Sequence, residues 1–313
     1  MDYKISSTDK FGNYILNKPS MILLDKQDNL YVLDPPEGNI KIFDTGGRFL
    51  KTIGRKGQGP GELNVPSLIC IINEEILIED TGNRNIIILD LNGAYKRSIS
   101  TASMTIKHIE CDSNGNFFCI VQTREDDYFR YDLQKLDLSL SPIETFRQDE
   151  DHIAIKPSFF VASPHLVLSI DGRIIYGFPE KNYEFDIFDE NGKLLNRIQK
   201  DFVGRKIPSE EIVDLMRNKP KSFEIYIPKY YPPFLSINSD DEGRIIVLSQ
   251  YQYRTKVSTF DVFMPDGKYL TKLNLQNLER PEYCLWRKNR LYTFEEDSDG
   301  LPVVGVFQVQ WKY

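Results

Sequence analysis

His108 and His165 lie 57 residues apart, and Asn116 and Arg173, beyond the next turn of each segment, keep the same spacing. The two histidines are therefore equivalent positions of a repeated segment. The same register brings in Met21, Ser236 and, at a looser match, Glu282, and in one copy it falls on Ser67 or Leu68. Two neutral imidazoles with a carboxylate suit zinc or a similar divalent ion. The only other histidine, His152, lies in the connection "RQDEDHIAIKP". The plainer account is a polar, wet ligand-binding mouth made by His108, His165, Ser236 and Glu282, with Tyr230 and Tyr231 beside it. No metal and no cofactor are expected.

A second candidate is "GRKGQGPGELNVPS" (54–67), which is rich in glycine and begins with basic residues. Such a stretch can cradle a phosphate. A Walker loop, however, needs Gly-Lys-Ser/Thr opening a helix, whereas Gly61 is followed by Glu62 and then by a strand-like run. The third candidate is "PKYYPP", where Tyr230 and Tyr231 beside a lysine offer faces for stacking a base or a sugar. The alternative is that these rings pack a neighbouring helix onto the body of the protein. A formal net charge of −7 argues against a general nucleic-acid binder. The G-x-S-x-G, H-E-x-x-H and P-loop templates are all missing. Acidic runs such as "REDD", "RQDED", "SDDEG" and "EEDSDG" fall at expected turns and are taken as solvated loops.

These residues are positioned by a repeat. "NIKIFDTGGRFLKTI" (39–53) and "NIIILDLNGAYKRSI" (85–99) are one unit, with Asp44/Asp90 and Gly47/Gly93 each 46 apart. "FDIFDENGKLLNRI" (185–198) and "FDVFMPDGKYLTKL" (260–273) repeat it, and 133–146 holds a degenerate copy. Each is preceded by a hairpin of the type "MILLDKQDNLYVLD" or "HLVLSIDGRIIYGF". Asn and Asp beside Gly supply the positive φ these turns need. The result is six four-stranded antiparallel units of about 45 residues, which is the signature of a six-bladed β-propeller. The 313 residues suffice for one such domain spanning the chain.

The last copy lacks a fourth strand, and the N-terminus supplies one. Shifted by 47, Tyr3 falls on Leu50, Gly12 on Gly59, Leu16 on Leu63 and Pro19 on Pro66. The segment Tyr3–Ser6 should therefore pair with 302–309 and close the ring, removing two exposed sheet edges. The stretch 54–67 then becomes a rim-to-axis crossing between two blades. One segment exceeds the period: Gly192 and Gly267 are 75 apart, and the excess, at about 203–229, holds "IPSEEIVDLMRNKPKSFEIYIPKYYPP". Ser209 as N-cap, Glu210 and Glu211 in the first turn, and the apolar face Ile212, Leu215 and Met216 predict a short helix across one face.

"TIGRKGQGPGELNVPSLICI" followed by "EDTGNRNIIILDLNGAYKRSI" resembles the NHL repeat, and the chain as a whole is similar to bacterial six-bladed propellers built from it. The resemblance implies ligand binding at the central channel. It also implies a runner-up, since some NHL-like propellers are metal-dependent lyases with histidines near the axis. Calcium-dependent propeller lactonases need acidic and Asn side chains at the inner ring, where this chain is mostly apolar or His. The expected function is non-catalytic binding of a protein, peptide or glycan on one face. The alternative is a metal-dependent lyase or hydrolase at the channel. A monomer is expected, with no nucleic acid and no membrane span, because no apolar run approaches 18–20 residues. The polar start "MDYKISSTDK" carries no address. Cytoplasm follows if the chain begins there, periplasm or cell surface if a signal was trimmed. Cys70, Cys111, Cys119 and Cys284 sit in strand-like stretches and are expected as free, buried thiols, with Cys111 and Cys119 the pair that neighbouring strands could bring close.

Overall fold

The computed structural model describes residues 2–8, 12, 14–112, 114–152, 163–180, 182–217 and 226–312. Its strands follow the turn chemistry. Asp90 Oδ1 accepts the N–H groups of Asn92 and Ala94 at 2.8 and 2.9 Å while Gly93 takes φ 91°. The same device recurs at Asp44, Asp137 and Asp189. A carboxylate that fixes its own turn explains the repeated Asp…Gly signature. In two inner hairpins the turn is a two-residue pair at positive φ, Asn73-Glu74 and Lys288-Asn289, as a tight hairpin between right-twisted strands requires.

These turns define six four-stranded antiparallel sheets. Blade one is Met21–Leu24, Leu30–Asp34, Asn39–Phe43 and Phe49–Ile53, and blade two is Pro66–Ile72, Glu75–Asp80, Asn85–Asp90 and Tyr95–Ser100. Blade three is Thr105–Cys111, Phe117–Arg124, Phe129–Leu136 and Pro142–Asp151; blade four is His165–Leu168, Ile174–Gly177, Tyr183–Phe188 and Leu194–Lys200. Blade five is Ser236–Ser239, Ile245–Gln252, Val257–Phe263 and Tyr269–Gln276. Blade six is Leu285–Arg287, Arg290–Glu296 and Pro302–Gln308, completed by Tyr3–Ile5. The N-terminal strand pairs antiparallel with Pro302–Gln308, Tyr3 opposite Val306 and Ile5 opposite Val304. The ring is thus closed where the 47-residue offset predicts.

Six apolar clusters fill the spaces between neighbouring blades. Because both faces of each blade are covered, its middle strands read as continuous apolar runs: Ile86 to Leu89 are all buried. The outermost strands, such as Tyr95–Ser100, are mostly exposed.

The glycine-rich stretch 54–67 folds back on itself. Leu63 is fully buried, its N–H donates to Arg55 O at 2.8 Å, and its carbonyl accepts from Gly57 N at 3.1 Å. Glu62 accepts from Gly59 N at 2.9 Å and pairs with Arg55 at 2.8 Å. Buried Asp80 then takes the N–H groups of Asn64 and Val65 at 2.7 and 2.8 Å, fixing the crossing to blade two. Gly38 is required beside it, since a Cβ there would stand 2.7 Å from the Leu63 carbonyl.

Two expectations are corrected. Cys70 and Cys111 form a disulfide, with Cα atoms 6.7 Å apart, while Cys119 and Cys284 are the free, buried thiols. Neighbouring strands of one blade do not make the bond. It joins the inner strands of blades two and three, which converge at the axis. The run "RQDED" is also no loop: it ends the outer strand Pro142–Asp151, and Asp151 is buried. Arg147 in this strand reaches across to Asp186 of blade four, and Lys200 of blade four reaches Asp261 of blade five at 2.6 Å. Both acids are buried and sit on the third strands, so each receives a cation from the preceding blade.

Candidate functional site at the axis

His108, His165, Ser236 and Met21 each stand three residues before the end of an inner strand, opposite Ile120, Gly177, Leu248 and Leu33. They are structurally equivalent, as the spacing predicts. Blades two and six, with the two-residue hairpins, depart from the register. Ser67 lies at a bulge between Pro66 and Leu68, and its hydroxyl donates to Glu79 Oε2 at 2.7 Å. Glu282 is not on an inner strand but in the 3-10 turn Pro281–Tyr283 that precedes one; Cys284 stands three residues before the end of that strand.

The two histidines lie on adjacent inner strands and influence each other electrostatically. His165 packs on Phe234, ring centroids 5.8 Å apart. Burial, helped by His108, pushes its pKa down to about 3, so it is a neutral imidazole at ordinary pH. His108 is half-buried, with Nε2 3.2 Å from Glu110 Oε1. On the other flank is Glu79, an acid the sequence argument missed. It is buried, and desolvation raises its pKa against the opposing pull of the Ser67 hydroxyl, His108 and Lys107. Glu79 lies in a run that reads as ordinary strand, and the electrostatic influence of His108 on it crosses from blade three to blade two. His152 stands apart, paired with Glu150 at 3.1 Å and packed on Tyr128 at 4.9 Å. Among the described residues no three His, Cys, Asp or Glu side chains converge as a metal-holding group.

A second group of candidate residues comes from the insertion, from blade five and from the turn that leads into blade six. The predicted helix is Ser209–Met216, and its first carbonyl is that of Pro208, which accepts from Glu211 and Ile212 N–H at 3.1 and 3.2 Å. The chain returns alongside, through a bridge between Lys206 and Tyr230. Here Tyr230 and Tyr231 part company. Tyr230 is 41% exposed, with Lys229 over its ring at 5.3 Å. Tyr231 is buried; Arg205 covers its ring at 3.7 Å and its hydroxyl donates to Glu211 Oε2. Tyr231 thus packs the insertion onto the disc.

Tyr253, at the outer end of the second strand of blade five, is 51% exposed and meets Tyr251 edge-on at 4.7 Å. Desolvation raises its hydroxyl pKa, aided by Glu282 and then Glu211. Glu282 is solvent-exposed, and desolvation by its neighbours raises its pKa against the opposing pull of a backbone N–H and Arg280. Tyr283 is 44% exposed, with Arg280 stacked on it at 4.2 Å. Ser236, at the inner strand of blade five, is buried and its hydroxyl has no hydrogen-bond partner. The spacing argument did not reach Tyr253 and Tyr251; the available signal was the alternation "QYQY" at a strand end, of which Tyr251 is buried and Tyr253 exposed.

Among known proteins, a family profile described as 6-bladed beta-propeller (DUF5128) matches residues 13–227. The human E3 ubiquitin-protein ligase NHLRC1 is 28% identical over 89 residues, a match that spans 28% of this chain and 22% of that protein. A putative exported protein from Bacteroides fragilis NCTC 9343 superposes with a TM-score of 0.61 at 12% identity, covering 98% of this chain and 95% of that one. A duf4221 family member from Bacteroides vulgatus gives a TM-score of 0.64 at 12% identity, covering 98% and 97%. At these identities the likeness is one of fold. No helix among the described residues is long and apolar enough to cross a membrane.

Proposed function

Because the chain belongs to the family of 6-bladed beta-propellers (DUF5128), a fold that leaves function to the residues grafted on it, we propose that it is a non-catalytic binding module. The face carrying the start of the inner strands and the helical insertion is its binding face. One observation carries this reading: Tyr230 of the insertion, Tyr253 at the end of the second strand of blade five and Tyr283 in the turn into blade six all leave their rings exposed. Exposed aromatic faces with few internal partners are the usual anchors of a recognition surface. The resemblance of residues 52–71 and 79–99 to the NHL repeat supports the same use of the fold. His108, His165 and Ser236 offer hydrogen-bonding groups at equivalent positions of the inner strands. The Cys70–Cys111 disulfide supports an oxidising location such as a periplasm or cell surface.

A panel of neutral, acidic and basic peptides and oligosaccharides, screened by thermal shift, tests the proposal. A ligand present at 100 times its Kd stabilises by about 2.7 kcal/mol. A shift that Tyr253→Ala or Tyr230→Ala removes supports the binding face. A shift that both variants retain places the ligand elsewhere and defeats it.

The pair His108–Glu110, with the protonatable Glu79 beside it, favours a second reading, a lyase or hydrolase at the axis. Near-stoichiometric metal in purified protein, lost in His108→Ala, would promote that reading over the first.

A further inference from the structure

We infer that the opposite face of the disc carries a second site, a recess and groove at blades five and six that takes an uncharged saccharide; this goes beyond the binding face proposed above and does not rest on it. The turn 240–243 after the inner strand of blade five and the turn Lys288-Asn289 after that of blade six border a recess of about 250 Å³ whose walls include Trp286 and Trp311. Asn289 also lines two open depressions of about 1020 and 760 Å³, one beside Tyr3 and Thr45, the other along residues 308–312. Volumes of this order are those of small-molecule sites. The two turns follow the ends of inner strands, whereas the insertion leads into the start of one, so the groove and the insertion lie on opposite faces. Trp286 is 3% exposed, and its indole N–H is enclosed without an acceptor among the described residues. An indole only donates, and a buried donor left unpaired is costly, so this wall of the recess calls for an oxygen.

Trp311 is half-buried, its ring 6.3 Å from that of Trp286 and 4.4 Å from the guanidinium of Arg244. Arg244 is itself 2% exposed and anchored on Asp240 at 2.7 Å, which fixes the ring in place. The charges of the recess cancel: Asp240, Asp241 and Glu242 are matched by Arg244, Arg287 and Arg290. Arg244 pairs with Asp240 and Glu242, Arg287 with Asp241 at 3.9 Å, and Arg290 with Asp2 at 3.0 Å. Lys288 on the rim pairs with Asp28 at 3.3 Å. A charged ligand would have to break such a pair, and an uncharged one does not. Lys312, exposed at the far end of the tail, is a cation without an acid against it among the described residues. The groups left to bond a ligand are the side-chain amides of Asn289, Gln308 and Gln310, none engaged within the described protein and each carrying donors and an acceptor. Neighbouring hydroxyls of a sugar meet such amides two at a time, while the apolar side of its ring lies on an indole. A peptide fits less well, because its side chains need apolar pockets, and Val309 is the one aliphatic side chain lining the groove.

Trp286 and Trp311 are the two tryptophans of the chain, and both line the recess, so indole signals report this site. The test is a titration of the full chain followed by tryptophan fluorescence and by the two indole N–H resonances. The probes are neutral hexasaccharides of glucose, mannose, galactose, xylose and N-acetylglucosamine, together with hexagalacturonate and a blocked, uncharged hexapeptide. The expected result is a saturable response to at least one neutral hexasaccharide, including a shift of the Trp286 indole resonance. Its affinity should stay constant between about 0.05 and 0.5 M salt. Asn289→Gly combined with Gln308→Ala should weaken binding about tenfold. Glycine keeps the positive φ of residue 289, Gln308 is exposed, and melting curves check that the fold is intact. The absence of an indole response to every neutral hexasaccharide overturns the inference. So does a response that the double variant retains, that hexagalacturonate alone elicits, or that fades with salt. A response to the peptide alone overturns the saccharide class and assigns the groove to peptides. The insertion and its neighbouring tyrosines hold no tryptophan, so either face can fail its test while the other stands.

Discussion

Ile5 stands opposite Val304, and both are buried in the cluster that joins the last blade to the first. Two residues almost three hundred positions apart in sequence thus close the ring. Without residues 1–8 the strand Pro302–Gln308 becomes an open edge, and the apolar cluster loses one wall. Deleting them should lower the melting temperature clearly and promote aggregation. The milder variant Ile5→Ala should cost about 2–5 kcal/mol by denaturant melting, as other large-to-small core changes do. A deletion that melts like the parent and stays monodisperse by light scattering would show that the ring does not depend on this strand.

Closure was legible in the sequence because it is a matter of spacing: the N-terminal segment carries the same turn and crossing residues as 50–67. The equivalence of His108, His165 and Ser236 was legible for the same reason. What spacing cannot convey is distance between blades. Cys70 and Cys111 are 41 residues apart and share no strand pair, so nothing in the local pattern joins them. Arg147 looked like part of a solvated acidic run because its partner, Asp186, belongs to the next blade. Glu282 was assigned to the wrong element because the inner hairpin of blade six is tighter than those that set the register. Tyr231 and Glu211 are bonded within the insertion, which has no counterpart in the other blades to compare with.

The disulfide gives a second prediction. In the chain-entropy account, a cross-link closing a loop of about 40 residues stabilises by up to about 4 kcal/mol. Reduction with dithiothreitol, or Cys70→Ser with Cys111→Ser, should lower the melting temperature by several degrees. Cys119 and Cys284 should stay unmodified by thiol reagents until the protein unfolds, since burial raises both thiol pKa values and hides them. If a free-thiol titration of the unfolded, unreduced protein finds four thiols, the bond is not formed.

The third prediction concerns the clasp between blades three and four. Asp186 is 1% exposed and accepts from Arg197 Nε at 2.6 Å and Nη2 at 2.9 Å, as well as from Arg147 of the preceding blade. Arg147 is also held by Asp149, which takes the Tyr176 hydroxyl at 2.8 Å. Removing the central carboxylate leaves two guanidinium groups partly buried without it. Asp186→Ala should therefore cost about 3–5 kcal/mol, and Asp186→Asn somewhat less because one acceptor survives. Arg197→Ala, whose side chain is 45% exposed, should cost about 1 kcal/mol or less, as a partly solvated pair does. Equal losses for Asp186→Ala and Arg197→Ala in urea melts would show that the interblade contact contributes nothing beyond the local pair.

The last prediction is a pH dependence set by His165. Its pKa is about 3 in the folded chain, with burial as the main cause and His108 as the second, against about 6.5 when unfolded. Protonation therefore favours the unfolded state. The contribution of the neutral ring to stability is complete above about pH 6.5 and is lost as the pH falls from there toward 3. The slope is at most about 1.4 kcal/mol per pH unit, and partial contact of the ring with solvent lowers it. Below about pH 5 carboxylates add their own dependence, so the informative window is pH 6.5 to 5, where the loss should approach about 2 kcal/mol. His165→Gln, which cannot protonate, should flatten the stability curve in that window. Urea melts at half-unit pH steps read this directly, and the His165 ring resonance followed by NMR should show no titration down to pH 5. Parallel curves for the parent and His165→Gln would mean that the imidazole is more freely hydrated than its place against Phe234 implies.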